Sequence, residues 1–313
     1  MTGRVACLGE CMIELRERPD GLLSRGFGGD TLNTAVYLAR LGVAVDYVTA
    51  LGDDAHSDAM LQAWGAESVG TELVLRLPGR VPGLYLIQTD ARGERRFSYW
   101  RGEAPVRQLF DVAETPRIEA GLAAAGLVYL SGITLSLFQG SARERLFAAL
   151  ANARAAGARI AFDTNFRPRG WPDREEACAV YRRMLSLSDL VLAGVEDFAL
   201  MQGGATVSEV AADLRAAGVA EAVVRLPEPG CIVLAGGEEQ PVPVPERLTP
   251  VDTTAAGDSF AAAFIAARLA GLAPARAATA GHRLAGEVIR HPGAIIPRAA
   301  MPARILDTEA GAP

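Results

Sequence analysis

The sequence predicts an α/β fold: a doubly wound, mostly parallel sheet flanked by helices, with a small antiparallel β flap beside it. Three observations predict it. Short apolar runs alternate with longer segments of helical periodicity. Several short runs end in polar or glycine-rich residues that lead into a helix, as strands of open α/β sheets do at their ligand-binding edge. Two stretches, 11–27 and 76–101, break the alternation.

Taken in order, strands are expected at 5–8, 45–50, 83–89, 127–131, 159–163, 190–193, 222–225 and 231–235. Helices are expected at 31–41, 54–64, 143–156, 174–185, 207–217, 258–270 and 274–289. The second irregular stretch reads as a hairpin. Tyr85 to Thr89 and Arg96 to Trp100 read as two antiparallel runs flanking a turn at Arg92-Gly93. Segments 11–27 and 76–104 together would form a lid on a single domain spanning 1–313, with Trp100 packing the lid onto the body. A lid suits chemistry in which water competes as a nucleophile.

Composition narrows the function. Of 313 residues, half are apolar and 22% charged, which fits a globular protein. The formal charge is −6 and no long basic run occurs, so neither nucleic acid nor an anionic membrane is an expected partner. No apolar stretch has the roughly 18–20 residues of a membrane span. The first apolar run, 5–8, is too short for a signal-peptide core, so the expected location is cytoplasmic. The four cysteines form no CxxC pair, and the three histidines are scattered, so neither a disulfide framework nor a zinc site is expected. All 31 basic residues are arginine. Without lysine there is no Walker-A loop, no protein-kinase lysine and no Schiff base. Any phosphate chemistry must use backbone amides, arginine and metal.

The strongest chemical signal is Asp252-Thr253-Thr254-Ala255-Ala256-Gly257-Asp258-Ser259-Phe260. Small residues entering a helix leave backbone N–H groups uncovered, and these can hold a phosphate on Ala255, Ala256 and Gly257. Asp258 falls in the first helical turn, where the dipole favours its ionised form, as a general base requires. An ordinary capped helix start would place an aspartate there too. Alanine at 255 restricts φ, so the loop is expected to use a conformation alanine tolerates. A second segment, Gly28-Gly29-Asp30-Thr31-Leu32-Asn33-Thr34-Ala35, offers two glycines for close approach of a sugar, with Asp30 and Asn33 as hydrogen-bonding groups.

Together these segments resemble the PfkB, or ribokinase-like, carbohydrate kinases, which carry G-G-x-x-x-N-x-A near the N-terminus and D-T-x-G-A-G-D-S-F near the C-terminus. The chain has alanine at 255 where the family usually has glycine. The resemblance implies a ribokinase-like fold, ATP and Mg²⁺ as cofactors, and Asp258 as the catalytic base. It implies sugar contacts at Gly28, Gly29, Asp30, Thr31 and Asn33. Arg96 to Arg101 and Phe162 to Arg169 are similar to the branch acting on 2-keto-3-deoxygluconate. There Tyr99, Arg101 and Arg167 would meet the sugar acid, with Tyr85 as a fourth contact, since arginine binds carboxylates through parallel hydrogen bonds. Arg167 could instead serve the ATP phosphates beside Asn165.

Two segments depart from the family. Gly194-Val195-Glu196-Asp197 lacks the asparagine of N-x-x-E, leaving Asp197 as the metal-associated residue. Val224-Arg225-Leu226-Pro227-Glu228-Pro229-Gly230 replaces the nucleotide strand V-K-x-G-x-x-G, keeping Arg225 and Gly230 as its nucleotide contacts. The expected reaction is ATP-dependent phosphorylation of a small sugar acid, by a homo-oligomer. A neutral-sugar kinase and a catalytically weak sugar-binding regulator are the alternatives.

Overall fold

The computed structural model describes residues 3–18, 20–89 and 95–306. In chain order, β1 (Val5–Leu8) is followed by β2 (Met12–Glu17), β3 (Leu23–Gly28), α1 (Asp30–Arg40), β4 (Val45–Leu51), α2 (Ala55–Ala66), β5 (Val74–Arg76), β6 (Leu84–Thr89) and β7 (Arg95–Trp100). Then come α3 (Thr115–Ala124), β8 (Leu127–Ser131), α4 (Gly132–Leu137), α5 (Gly140–Ala155), β9 (Arg159–Asp163), α6 (Arg174–Leu187), β10 (Leu190–Gly194), α7 (Val195–Gln202) and α8 (Val207–Ala216). The chain closes with β11 (Glu221–Arg225), β12 (Gly230–Ala235), β13 (Glu238–Pro243), α9 (Ala256–Leu269) and α10 (Pro274–Val288).

Nine strands form the main sheet in the order β13-β12-β11-β10-β9-β8-β1-β4-β5. From β11 to β5 every pairing is parallel, and β12 and β13 add an antiparallel edge. The parallel strands are buried on both faces, which explains runs such as Val5-Ala6-Cys7-Leu8 with no alternation. Ala6 and Leu8 join one core with residues of α3, α5, α6 and α8, while Val5 and Cys7 join the other with α1, α2, α9 and α10. Strand order reverses at β1, which lies between β4 and β8. Open α/β sheets bind ligands outside the carboxyl ends of the strands near such a reversal.

The expected flap is a second sheet, ordered β3-β2-β6-β7. Its two antiparallel hairpins meet through a parallel β2–β6 pairing that sequence periodicity did not reveal. The Arg92-Gly93 turn lies outside the described residues. Trp100 does not pack the flap onto the body: it is 59% exposed, because it alternates with Tyr99 and takes the opposite face.

Segments 115–124, 132–137 and 195–202 are helices that the sequence reading left unassigned, as were strands β2, β3, β5 and β13. α9 carries no single apolar stripe. It is buried on nearly all sides between α1 and α10, with Gly281 lying directly beneath the Phe260 ring.

Candidate active site

The carboxyl ends of β1, β8, β9, β10 and β11, the start of α1, the start of α9 and the flap enclose two adjoining clefts. The inner one, about 710 Å³, is lined by Asn33, Asp163, Asn165, Glu196, Asp197, Arg225 and residues 253–258. The outer one, about 1480 Å³, is lined by Glu10, Arg96, Arg101, Arg107 and Arg169 and runs along the flap. Met12, Gly29, Asp30, Tyr99, Ile133 and Arg167 belong to both.

Asp258 is the third residue of α9, in the first turn as expected. Asn33 Nδ2 donates to its Oδ2 at 2.8 Å, and Thr34 Oγ1 donates to its backbone carbonyl at 3.3 Å. The two sequence motifs, 225 residues apart, therefore meet directly. Asn33, expected to face the sugar, lines the inner cleft; its amide N–H orients Asp258, and its Oδ1 is buried without a partner. The helix dipole does not decide the charge of Asp258. Burial pushes its carboxyl well above the ordinary range, and repulsion from Asp30 adds to this, against the Asn33 hydrogen bond.

The anion loop differs from expectation in two ways. Ala255 is the N-cap of α9 at φ 61°, ψ 15°, a left-handed conformation that alanine adopts at a cost of roughly 1–2 kcal/mol. The expectation of an alanine-tolerant geometry is thus corrected: the surrounding loop imposes the glycine-like turn. The Ala256 N–H is already donated to the Thr253 carbonyl at 3.2 Å, so Ala256 is not a free anion donor. Among the described residues the N–H groups of Ala255, Gly257 and Asp258 have no acceptor, and all three residues line the inner cleft. The Arg225 guanidinium packs close against the bare Gly257: a Cβ there would lie 2.8 Å from its Nη1.

Arg225 lies under that loop. Its guanidinium makes two bonds to the Asp163 carboxylate, at 2.6 and 3.1 Å. Burial raises the Asp163 pKa and the arginine opposes this. The pair braces the floor beneath Gly257. Asp163 is almost fully buried, whereas the Arg225 side chain is 22% exposed. Arg225→Met would strand the carboxylate, at a cost on the order of 3 kcal/mol, the lower end for breaking a buried pair. A urea midpoint equal to wild type would remove this bracing role.

The remaining expected residues divide. Asp30 opens α1 and accepts from Asn165 Nδ2 at 2.8 Å. Asn165 thus holds Asp30 while lining the inner cleft beside residues 253–258. Gly28 and Gly29 line the cleft, but Gly28 is required by the flap: a Cβ there would lie 2.1 Å from the Tyr85 hydroxyl. Thr31 lines neither cleft; it is fully buried and its hydroxyl pairs with Tyr47 at 3.1 Å. Gly230 begins β12 away from both clefts, where its carbonyl closes the hairpin onto Leu226 N–H; Leu226 and Pro227 line the cleft instead. Asp197 is corrected as a metal ligand. Its Oδ2 accepts from Thr164 and its Oδ1 from the Phe166 N–H, so it shapes the 164–167 loop. Among the described residues no cluster of three or more acidic, histidine or cysteine side chains is arranged to cage a metal.

Tyr85 and Tyr99 are direct cross-strand partners with ring centroids 5.9 Å apart, and Phe97 stacks on Tyr99. Tyr85 donates to the Glu14 carboxylate. Arg167 stands where the clefts join, 59% exposed, with Nη1 on the Phe166 carbonyl at 2.8 Å and Asp197 at 3.5 Å. Arg101 is not a free cation. It donates to the carboxylate of Glu10, which is 4% exposed. The sequence reading missed Glu10, Arg96, Arg107, Arg169 and Glu196. Glu10 was discoverable, since it follows the strand end at the sheet reversal. Arg107 carries no local signal.

The charge distribution is two-sided. The inner cleft has Asp30, Asp163, Glu196, Asp197 and Asp258 against Arg167 and Arg225. The outer cleft has Arg96, Arg101, Arg107, Arg167 and Arg169 against Glu10, Glu17 and Asp30. Amide donors and a buried carboxylate at a helix start, joined to an arginine-rich cleft under a flap, can hold a phosphate donor and an anionic acceptor side by side.

This fold and site are those of a sugar-kinase class, and comparison with known proteins agrees. The chain belongs to the pfkB family of carbohydrate kinases; the profile described as pfkB family carbohydrate kinase matches residues 2–301. It is similar to 2-dehydro-3-deoxygluconokinase of Escherichia coli (strain K12), 45% identical over 311 residues that cover 97% of this chain and 100% of the relative. The protein of the same name in Dickeya dadantii (strain 3937) is 43% identical over 309 residues, covering 96% and 99%. The crystal structure of 2-dehydro-3-deoxygluconokinase from Thermotoga maritima shares the fold, with a TM-score of 0.81 at 23% identity, covering 94% of this chain and 96% of that one. As a family member the chain uses ATP. Among the described residues no helix is long and apolar enough to cross a membrane.

Proposed function

We propose that this protein transfers the γ-phosphoryl group of ATP to the primary hydroxyl of 2-keto-3-deoxygluconate (2-dehydro-3-deoxygluconate). The observation that carries the substrate class is the arginine excess of the outer cleft beside Asp258, supported by the names of the similar enzymes. The sugar acid lies in the outer cleft with its primary hydroxyl directed at Asp258. Asp258 accepts the hydroxyl proton as the oxygen attacks the γ-phosphorus, and ADP leaves with the cleaved bond's electron pair. The free N–H groups of Gly257 and Asp258 hold the phosphates. Asn33 fixes the base, and Asn165 fixes Asp30 beside it. The flap, 11–27 and 76–104, is the lid of one domain spanning 1–313 and excludes water.

A triphosphate does not fit the acid-rich inner cleft on its own, and a divalent cation makes it fit. Glu196, exposed at the rim, would hold Mg²⁺ through water. When bound, the ion neutralises phosphate charge. The same reading carries a cytoplasmic homo-oligomer with it. Edges β3 and β7 are unpaired among the described residues, with Leu23 and Trp100 exposed there, and an uncovered edge is a liability.

One observation favours a second reading, a neutral-sugar kinase: Arg101 is already paired with Glu10. Arg101→Ala separates the two. It removes one cation of the cleft wall and takes from Glu10 its ion-pair partner, so kcat/KM for the sugar acid should fall roughly 10- to 150-fold, the scale of a lost charge-assisted bond. Fructose, if accepted, should lose much less. Unchanged sugar-acid kinetics in the variant, or a wild-type preference for fructose or ribose, leaves only the kinase assignment.

A further inference from the structure

The five arginines of the outer cleft differ in what already neutralises them. Arg101 is held by Glu10 and Arg167 leans on Asp197, while Arg96 and Arg169 are solvent-exposed. Among the described residues Arg107 is the half-buried one with no carboxylate in ion-pair range. Two neutral groups fix it: Nε donates to the Arg101 carbonyl at 3.1 Å and Nη1 to the Leu137 carbonyl at 3.2 Å. Carbonyls orient a guanidinium without cancelling its charge. Its Nη2 has no protein acceptor among the described residues and is not occluded, and the side chain lines the cleft. The backbone under it is rigid, a 3-10 turn at Pro105–Gln108 with Pro105, Val106, Leu109 and Phe110 buried.

Charge balance points the same way. Glu10 is one carboxylate acting on two guanidiniums, Arg101 and Arg107. Arg101 takes the ion pair with Glu10, so Arg107 shares that carboxylate only at longer range. Burial weakens the hold of Arg107 on its proton; Glu10 opposes this and the neighbouring Arg101 adds to it, with the net shift downward, so its cation gains from an added anion. A rigid, partly desolvated guanidinium with no ion-pair partner and an open N–H is a preorganised carboxylate site.

We propose that Arg107 is a specificity-determining residue that binds the acceptor's carboxylate through Nη2, while the Glu10–Arg101 pair positions the carbonyl on which it rests. The proposal deepens the sugar-acid reading above and rests on it. The ligand class is a small hydroxy- or oxo-acid; a neutral sugar leaves the charge unanswered.

The test compares wild type, Arg107→Gln and Arg107→Lys by ADP release with 2-keto-3-deoxygluconate and with fructose, alongside KM for ATP and thermal melting. In Arg107→Gln, KM for the acid should rise roughly 10- to 100-fold, as for loss of a charge-assisted bond. The change in kcat should stay within a few-fold and KM for ATP should hold. Arg107→Lys keeps the charge and should recover most of the affinity, with KM raised only severalfold. A folded Arg107→Gln with wild-type KM for the acid overturns the proposal and leaves the sugar-acid function standing. If the glutamine variant does not fold, Arg107→Met decides on the same reading: a folded Arg107→Met with wild-type KM for the acid overturns the proposal. Wild-type protein that does not phosphorylate the acid defeats the function reading and this proposal together.

Discussion

Asp258→Asn should lower turnover by at least about 10²-fold, the usual scale for losing a general base, while leaving the fold and ATP affinity largely intact. Asparagine keeps the shape and still offers an oxygen to Asn33 Nδ2, which donates there at 2.8 Å. What disappears is the capacity to take the hydroxyl proton. A pH profile makes the test more specific. Burial and Asp30 raise the Asp258 pKa above the ordinary aspartate value of about 3.9. The base works only when ionised, so kcat/KM should fall as pH drops through this raised pKa. The acid limb then lies at higher pH than an ordinary aspartate would give, and the variant should lose it. Near wild-type turnover in the variant, or an unchanged acid limb, would take Asp258 out of the mechanism.

Removal of divalent metal should have an equally large effect. EDTA should abolish ADP production with the sugar acid, and Mg²⁺ should restore it. The reason is local. The inner cleft brings five carboxylates to two arginines, and the arginines are partly spent on Asp163 and Asp197. An ATP triphosphate entering that field without a cation meets like charge at close range. The chain has no lysine to offset it. Persistent turnover in EDTA, with contaminating kinases excluded, would contradict the proposed phosphate site.

Much of this architecture is legible in the sequence because its signals are local. Alternating short and long apolar segments announce the parallel sheet. Asp258 on the first turn of α9 follows from its place in the motif alone. The flap hairpin shows in the two β-prone runs that carry Tyr85 and Tyr99 on either side of a turn signal. What failed did so for identifiable reasons. Thr31 and Gly230 sit inside recognisable motifs yet face away from the clefts, because helix rotation and hairpin closure decide direction. Asp197 reads as a metal ligand until its oxygens are seen occupied.

The sequence by itself determined the fold class, the kinase family and the candidate base, because each is written in contiguous residues with a fixed local geometry. Only the tertiary structure decided how charge is shared. Asn33 meets Asp258 across 225 positions, Glu10 meets Arg101 across 91, and Arg225 meets Asp163 across 62. Such pairings set which arginines remain free for a ligand and which way the Asp258 pKa moves. Coulomb energy and desolvation depend on distance and burial in three dimensions, and neither follows from separation along the chain.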